Sequence, residues 1–351
     1  MSNEEVQHKR RVRYSGTHPR RFEEKYKELN PEKYAKDIEH IISRGATPAG
    51  MHISIMVNEI LDFLNIQPGQ TGLDATLGYG GHTRAMLDKL NGSGHIYALD
   101  VDPIESEKTK KRLNDLGYGN DILTVRLQNF ADIDKVAADT GKKFNFVLAD
   151  LGVSSMQIDN PNRVVSNKVD GPLDLRMNPR KGKSGAERLQ ELTYAEIVGM
   201  LTENSDEPYA EQIARTIMRW RNKGTFIDTT TQLRECITEA LDFLPKGEKK
   251  DIIKKSCQRT FQAIRIDVNS EFEVLYSFLE KLPGILAPGG RAAILTFHSG
   301  EDRLVKRSFK ELHREGVYSD VARDVIRPTP EECVKNPRSK STKMRWAIKA
   351  E

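Results

Sequence analysis

The sequence has only three cysteines in 351 residues, and they form neither a CxxC pair nor the regular spacing of a disulfide framework. This scarcity indicates a reducing compartment and excludes a cysteine-rich structural zinc site, and no other metal site is predicted. No apolar run approaches the length of a membrane span. The start, MSNEEVQHKRR, is typical of neither a secretory signal nor a transit peptide. We therefore expect a soluble, cytoplasmic protein with no membrane partner.

A large excess of one charge sign is also absent, since 55 basic residues are nearly balanced by 51 acidic ones. The mean hydropathy of −0.59 nevertheless indicates a densely charged surface. Basic residues concentrate at the two ends: residues 1–44 contain the cluster HKRRVR, and residues 335–349 carry six basic residues and no acid. The first stretch is explained equally well by a solvated tail and by an RNA-contacting arm. The second, which includes Arg338 and Lys340, is the better candidate for binding phosphate groups.

Residues 71–102 have the pattern of a strand, a glycine-rich turn, a helix and a second strand that ends in acids. Gly80 and Gly81 can adopt positive φ angles and let a ligand approach bare backbone. The dinucleotide-binding fingerprint requires a further glycine where this chain has Thr83. The turn therefore favours S-adenosylmethionine, whose cationic groups Asp74 would attract. A plain βαβ unit with a flexible turn is the alternative.

Four strand–helix steps follow one another in about eighty residues, up to Asp150, and this order predicts a parallel, doubly wound sheet. A helical pattern then interrupts the sheet over residues 186–256. After it, Pro288-Gly289-Gly290 is predicted to form a turn, and residues 292–297 a buried strand that ends at His298. We predict four segments: a basic N-terminal extension (1–44), a first sheet segment (45–157), an inserted helical substrate-recognition domain (158–256), and a second sheet segment with a basic tail (257–351).

Acidic and hydroxyl side chains follow the fourth strand, in the segment DLGVSS that begins at Asp150. Because ligands bind at the carboxyl ends of parallel strands, Asp150 is a candidate catalytic residue. It could align an exocyclic amine and stabilise the positive charge that develops on its nitrogen. A capping turn is the alternative, since Asp and Ser are common in turns for backbone reasons alone. His298, at the end of the last strand, is a candidate substrate contact.

Arg259 and Arg265 flank Phe261, and arginine beside an aromatic ring is a common way to hold single-stranded RNA. Packing of Phe261, with solvated or paired arginines, explains the same residues equally well. No cysteine lies at a predicted strand end, which argues against methylation at a pyrimidine C5 atom. Direct transfer of a methyl group to a nitrogen or oxygen atom is the alternative that this leaves.

Eight motifs occur in a characteristic order: DATLGYGGHT, ALDVDP, DLGVSSMQID, DGPLDLRM, RTFQAIRIDVNSE, PGGR, TFHSGEDRLVK and NPRSKSTKMR. Together they resemble the bacterial 16S ribosomal RNA cytosine-N4 methyltransferases (the RsmH or MraW type) over residues 50–349. The resemblance implies a class I, Rossmann-like S-adenosylmethionine-dependent methyltransferase fold of the α/β class with an inserted helical domain. It also implies ribosomal RNA, or the small ribosomal subunit, as the partner, with a decoding-region cytosine as the target. The oligomeric state is left open, a homodimer included.

The resemblance also assigns cofactor contacts. They fall on Gly80, Gly81 and His82 in the turn, and Asp100 would bind the ribose. The remaining contacts are Phe130 against the adenine, and Asp150 and Gln157, which complete the pocket.

The departures from the family pattern lie on the predicted substrate side. The loop NRVVSN, which contains the candidate substrate residue Arg163, replaces a usual arginine-glycine-phenylalanine-serine-phenylalanine stretch. Gly300 replaces a usual leucine, and the N-terminal extension is additional. These changes leave two alternatives open: a paralogue that methylates a different ribosomal RNA cytosine, and a ribosome-assembly factor without turnover.

Overall fold

One seven-stranded sheet lies at the centre of the residues that the computed structural model describes, 54–152 and 170–351. Its strands are β1 (Thr71–Asp74), β2 (His95–Asp100), β3 (Leu123–Leu127), β4 (Phe144–Asp150), β5 (Leu286–Thr296), β6 (Tyr318–Val321) and β7 (Lys343–Lys349). Their order across the sheet is β3-β2-β1-β4-β5-β7-β6. The first five strands pair in parallel, whereas β7 is antiparallel to both β5 and β6. The predicted parallel, doubly wound core is confirmed, with an antiparallel edge added by the C-terminal strands.

The helices alternate with the parallel strands, except for one helical block between β4 and β5. In chain order they are α1 (Val57–Leu64), α2 (Gly81–Leu90), α3 (Pro103–Asp115), α4 (Ile133–Thr140), α5 (Gly185–Glu191), α6 (Tyr194–Ser205), α7 (Ala210–Asn222), α8 (Thr230–Ala240), α9 (Lys246–Asn269), α10 (Glu271–Ile285), α11 (Ser299–Arg314) and α12 (Pro330–Lys335). Short 3₁₀ helices span Phe130–Asp132 and Pro337–Ser341.

Both faces of the sheet are covered by apolar helix faces, as a parallel sheet requires. Helices α1 and α2 pack on one face through Ile60 and Met86. Helices α10 and α11 pack on the other face through Phe278 and Val305. Strands β1 and β4 lie so close that a Cβ atom on Gly72 would be 1.9 Å from the Phe146 ring. This arrangement fixes the carboxyl ends of β1, β2, β4 and β5 along one rim.

The helical block forms from strong local signals. Helices α5, α6 and α8 each begin with a capping box, in which a Ser or Thr and the Glu or Gln three residues later satisfy backbone N–H groups reciprocally. The block buries its own apolar cluster, which extends along α9 as far as Ile264. The predicted boundary between residues 256 and 257 therefore falls inside the continuous helix α9. In the part of the chain that the structure describes, the helical block and the sheet belong to one compact unit.

One local prediction concerns the start of β5. Pro288-Gly289-Gly290 was expected to be a turn. These residues lie within the bounds of β5, where its register with β4 is irregular, and Gly289 has a φ angle of +67°. The prediction is confirmed in part, because the chain leaves the extended conformation at Gly289 and forms a bulge inside the strand. The N-terminal extension and the loop that contains Gln157 and Arg163 lie outside the described residues. Among the described helices, none combines the length and apolar character needed to cross a bilayer.

Candidate functional site

A cavity of about 940 Å³ opens along the rim formed by the carboxyl ends of β1, β2, β4 and β5. This volume is at the upper end of the usual range for small-ligand sites. One part is lined by the glycine turn after β1, by Asp100 and by Phe130. The other part is lined by α9, by the start of α10 and by the segment after β5. The cavity can therefore hold a nucleoside-like cofactor and a second group beside it.

Asp74, at the end of β1, supports the glycine turn through hydrogen bonds. Asp74 is only 1% exposed. Its Oδ2 accepts a 2.6 Å hydrogen bond from the Thr83 hydroxyl, and its Oδ1 accepts one from the Thr76 N–H. Burial raises the pKa of Asp74, and these hydrogen bonds oppose the rise. Asp74 is not among the cavity-lining residues, and its hydrogen bonds position the turn. Its predicted attraction for the cationic groups of the ligand stays a prediction.

Gly80 shows why the turn needs glycine. Its φ angle is +75°, and a Cβ atom there would lie 2.8 Å from Thr109 Cγ2. A side chain would therefore be both strained and in collision. Thr83, where a dinucleotide site would have a third glycine, donates the hydroxyl that anchors Asp74. The departure from the dinucleotide fingerprint thus has a structural function.

Asp100 closes the opposite side of the turn. Its Oδ2 accepts a hydrogen bond from the Gly78 N–H at 3.0 Å, and its Oδ1 accepts one from the Asp102 N–H at 2.8 Å. Each carboxylate oxygen retains a further lone pair for a ligand donor. Burial raises the pKa of Asp100 to about 6. The carboxylate is thus fixed in place and can accept hydrogen bonds from a ribose diol above that pH.

Asp150, the last residue of β4, carries an acceptor that no described residue satisfies. Its Oδ2 lies 3.4 Å from His82 Nδ1, while its Oδ1 is shielded from solvent and has no hydrogen-bond partner within residues 54–152 and 170–351. Burial raises the pKa of Asp150 to about 6, partly opposed by His82. A buried acceptor without a partner costs free energy. Oδ1 is therefore suited to an N–H donor supplied by a ligand.

His82 is held from its other side. Its Nε2 lies 2.8 Å from the carbonyl oxygen of Ile55. A carbonyl oxygen only accepts hydrogen bonds, so Nε2 must carry a proton. Nδ1 is the ring nitrogen that faces Asp150.

The far part of the cavity holds a cluster of paired charges. The Arg265 guanidinium donates to both carboxylate oxygens of Glu271, at 2.7 and 2.9 Å. Nε2 of His298 lies 3.2 Å from Glu301 Oε1. Burial acts to raise the pKa of Glu301, but His298 and the Phe297 N–H outweigh it and hold that pKa below its usual range.

Glu271, His298 and Glu301 place potential metal-ligand atoms within 4.8 Å of one another. Both oxygens of Glu271 are already engaged by Arg265, and a cation there would adjoin the guanidinium charge. The geometry therefore favours a polar surface for a substrate over a metal site.

Residues 49–350 match the family model that describes the MraW methylases. The chain belongs to the MraW methylase family. It is 68% identical, over 99% of its length and 100% of the relative's, to "Ribosomal RNA small subunit methyltransferase H 1" of Agathobacter rectalis. It is 61% identical, over the full length of both chains, to "Ribosomal RNA small subunit methyltransferase H 2" of Alkaliphilus metalliredigens. These alignments include the N-terminal extension, so the extension is shared with close relatives.

Among solved structures, an rRNA methylase from Streptococcus thermophilus overlaps with 86% of this chain and 99% of its own, at a TM-score of 0.40 and 13% identity. That likeness is too remote to indicate function. Membership of the MraW methylase family confirms the resemblance seen in the sequence. With it, the class I methyltransferase fold and S-adenosylmethionine as the methyl donor are established.

In this MraW methylase the predicted site residues fall into three groups. The cavity is lined by most of them: Gly80, Gly81, His82, Asp100, Phe130, Asp150, Arg265, His298, Arg338 and Lys340. Asp74 and Arg259 do not line it, and Arg259 is half-buried on α9. Gln157 and Arg163 lie outside the described residues. Their roles stay predictions.

Asn269 is a residue of the MraW methylase site that the sequence reasoning missed. Its Oδ1 accepts a hydrogen bond from the Met177 N–H at 2.8 Å, and its amide nitrogen donates to the Leu175 carbonyl at 2.9 Å. Leu175 has a φ angle of +64°, which is unfavourable for a non-glycine residue. Asn269 thus anchors a strained loop at the cavity wall. More than ninety positions separate these partners, so no local pattern could have revealed the contact.

Proposed function

We propose that this chain transfers a methyl group from S-adenosylmethionine to the exocyclic N4 of a cytosine in small-subunit ribosomal RNA, in the decoding region. The family supports methyl transfer, and the names of the full-length relatives support the RNA substrate. The observation that carries the chemistry is the buried, unsatisfied Oδ1 of Asp150 at the cofactor rim.

The residues present fit the cofactor. Asp100 offers carboxylate lone pairs to a ribose diol, and Gly80 lets the turn pack tightly against Thr109 while the turn lines the cavity. Phe130 lies along the same wall, with its ring held edge-on by Phe278 at a centroid distance of 5.3 Å. When bound, S-adenosylmethionine supplies an electrophilic methyl group on a positively charged sulfur.

Asp150 would hold the acceptor amine. The N4 lone pair of cytosine is delocalised into the ring, so the site must fix the amine in a reactive orientation. A carboxylate that accepts an N–H hydrogen bond at Oδ1 does this, and it stabilises the positive charge that grows on nitrogen. Extrusion of the base costs a few kcal/mol, which stacking and phosphate contacts outside the cavity must offset.

Asp150 can receive the proton that the methylated amine must release. The amine proton passes to an Asp150 oxygen, and His82 Nδ1 lies 3.4 Å from Oδ2 of the same carboxylate. The Nε2 of His82 donates to the Ile55 carbonyl, and this contact holds the imidazole beside Asp150.

This arrangement predicts a pH dependence. Below about pH 6 Asp150 is protonated, so it has no negative charge to stabilise the developing positive charge and cannot take up the amine proton. The kcat should therefore fall as pH decreases through that value. His82 lowers the pKa of Asp150, whereas Asp74 and Glu301 raise it. The substitution His82→Gln should therefore move the acidic limb of the kcat–pH profile to higher pH.

The measurement is single-turnover methylation of small ribosomal subunits at saturating donor, because Asp100 also titrates near pH 6 and would otherwise contribute through cofactor binding. His95→Gln, at the opposite end of β2, is the matched control and should leave the limb in place. An acidic limb that stays at the same pH in His82→Gln would contradict the proposed effect of His82 on the pKa of Asp150.

The proposed reaction is tested by mass spectrometry of ribosomal RNA from a strain that lacks the gene. One small-subunit cytosine should lose its N4 methyl group and regain it on complementation with the wild-type chain. Loss of the methyl group at a different ribosomal RNA cytosine would identify a paralogue instead. An unchanged methylation map would reject the reaction.

Two other functions are separated by binding measurements. An assembly factor without turnover, suggested by the altered substrate-side loops, would show no heat of S-adenosylmethionine binding in calorimetry if the cofactor site were also lost. A small-molecule methyltransferase would show no salt-dependent affinity for RNA, whereas an RNA enzyme loses affinity steeply as salt increases.

A further inference from the structure

Helix α11 connects the substrate part of the cavity with the outer flank of the sheet. It follows directly after His298, and its first turn contributes Glu301 to the cavity wall. Near the same end, Arg303 lies 3.8 Å from Asp206, which ends helix α6 of the helical block. The helix therefore begins where the cavity, the sheet and the helical block meet.

The outward face of α11 carries a row of basic side chains. Arg303, Arg307, Lys310 and Arg314 are exposed and are spaced by four, three and four residues. This spacing places all four on one face of a helix. The opposite face is buried through Val305 and Phe309. At 1.5 Å per residue the row extends for about 16 Å from the cavity.

The row is not neutralised from within the protein. For Arg307, Lys310 and Arg314, no ion-pair partner occurs within residues 54–152 and 170–351, and Glu311 is the exposed acid at the edge of the row. Like charges three and four residues apart on a helix destabilise it. An external polyanion along this face would remove that repulsion.

We propose that this face of α11 is a binding track for the phosphate backbone of the RNA that flanks the target base. The inference rests on the proposed function, since it takes RNA as the substrate. A base that is extruded into the cavity leaves its neighbouring nucleotides at the rim, and the basic row begins there. Phosphate contacts along α11 hold the RNA and supply affinity without reading its sequence.

The test removes two charges from the row in the full-length chain. In Arg307→Ala/Lys310→Ala, affinity for a fluorescently labelled transcript of the small-subunit decoding region should fall roughly tenfold at moderate salt. The slope of log affinity against log salt should become shallower by roughly 1.5, since each phosphate contact contributes about 0.7–0.9. Fluorescence anisotropy over a salt series measures both quantities, and calorimetry with S-adenosylmethionine should be unchanged.

The matched control is Lys89→Ala/Lys111→Ala, which removes the same charge from exposed positions on α2 and α3 and should leave the salt slope unchanged. An equal change in both double variants would show a general charge effect and would overturn the track. An unchanged slope in Arg307→Ala/Lys310→Ala would also overturn it, and a protein partner would then account for the row. If the wild-type chain itself shows no salt-dependent RNA binding, the proposed function fails first, which distinguishes the two failures.

Discussion

Replacement of Asp150 by asparagine should lower kcat for RNA methylation by 10²–10³, on the order of the loss seen when one preorganised polar group is removed from a catalytic site. The amide keeps the size of the side chain but removes the negative charge opposite the developing positive charge on nitrogen. It also presents N–H groups where the amine needs an acceptor. Rapid-quench single-turnover assays on small ribosomal subunits measure the loss directly.

Cofactor binding provides the control for this variant. The glycine turn and Asp100 are unchanged in Asp150→Asn, so the Kd for S-adenosylhomocysteine should rise by no more than roughly tenfold, the value of one ordinary hydrogen bond. Asp115→Asn, an exposed change at the end of α3, should affect neither quantity. Full turnover by Asp150→Asn would remove Asp150 from the mechanism.

Replacement of Asp100 by asparagine should weaken cofactor binding and leave the chemical step nearly unchanged, which is the opposite of the result expected for Asp150→Asn. The two carboxylate oxygens of Asp100 accept the N–H groups of Gly78 and Asp102, and one amide oxygen cannot replace both. A charged acceptor for the ribose is lost as well. Hydrogen bonds to charged groups contribute about 1.5–3 kcal/mol, so the Kd for S-adenosylmethionine should rise roughly ten- to a hundredfold.

Isothermal titration calorimetry measures that change, with kcat determined at a donor concentration that saturates the variant. The chemical step should then stay within a few-fold of the wild-type rate, because Asp150 and His82 are untouched. A variant that binds the cofactor normally would show that Asp100 holds only the backbone of the turn.

Much of the fold follows from local patterns. Apolar spacing and glycine turns predict the strands β2 and β4 and the helices α2 and α3. The helical block is indicated by apolar spacing and by its capping boxes. Pro288-Gly289-Gly290 is a partial exception. Gly289 has the positive φ angle expected of a turn, but the segment lies inside β5, because the residues before and after it pair with β4.

The site was predictable only in part. Asp100, Asp150 and Gly80 follow from one rule, that parallel strands present their carboxyl ends to a ligand. Asp74 obeys the same rule but is turned inward by Thr83. Arg265 lies in a sequence pattern that is typical of an RNA contact, with arginines close to an aromatic residue. In the structure its guanidinium is paired with Glu271.

One substrate-side departure also gains an explanation from the structure. A side chain at Gly300 would begin 2.6 Å from the ring of Phe272. That ring lies beside His298, with centroids 5.7 Å apart. The loss of a side chain at position 300 is therefore coupled to the presence of an aromatic ring on α10. A glycine in a sequence cannot reveal which neighbour fills the space above it.

The amino-acid order by itself determined the α/β class, the glycine turn, the helical block and the family, because each depends on neighbours a few residues apart or on motifs in a fixed sequence. Only the tertiary structure decided which charged groups are engaged and which await a ligand: His82 faces Asp150, Arg265 is held by Glu271, and Asp150 Oδ1 has no described partner. The physical reason is that the pairing of a buried charged group depends on the groups that folding brings close to it. These groups can be far apart along the chain, so their positions in the sequence do not reveal the contact.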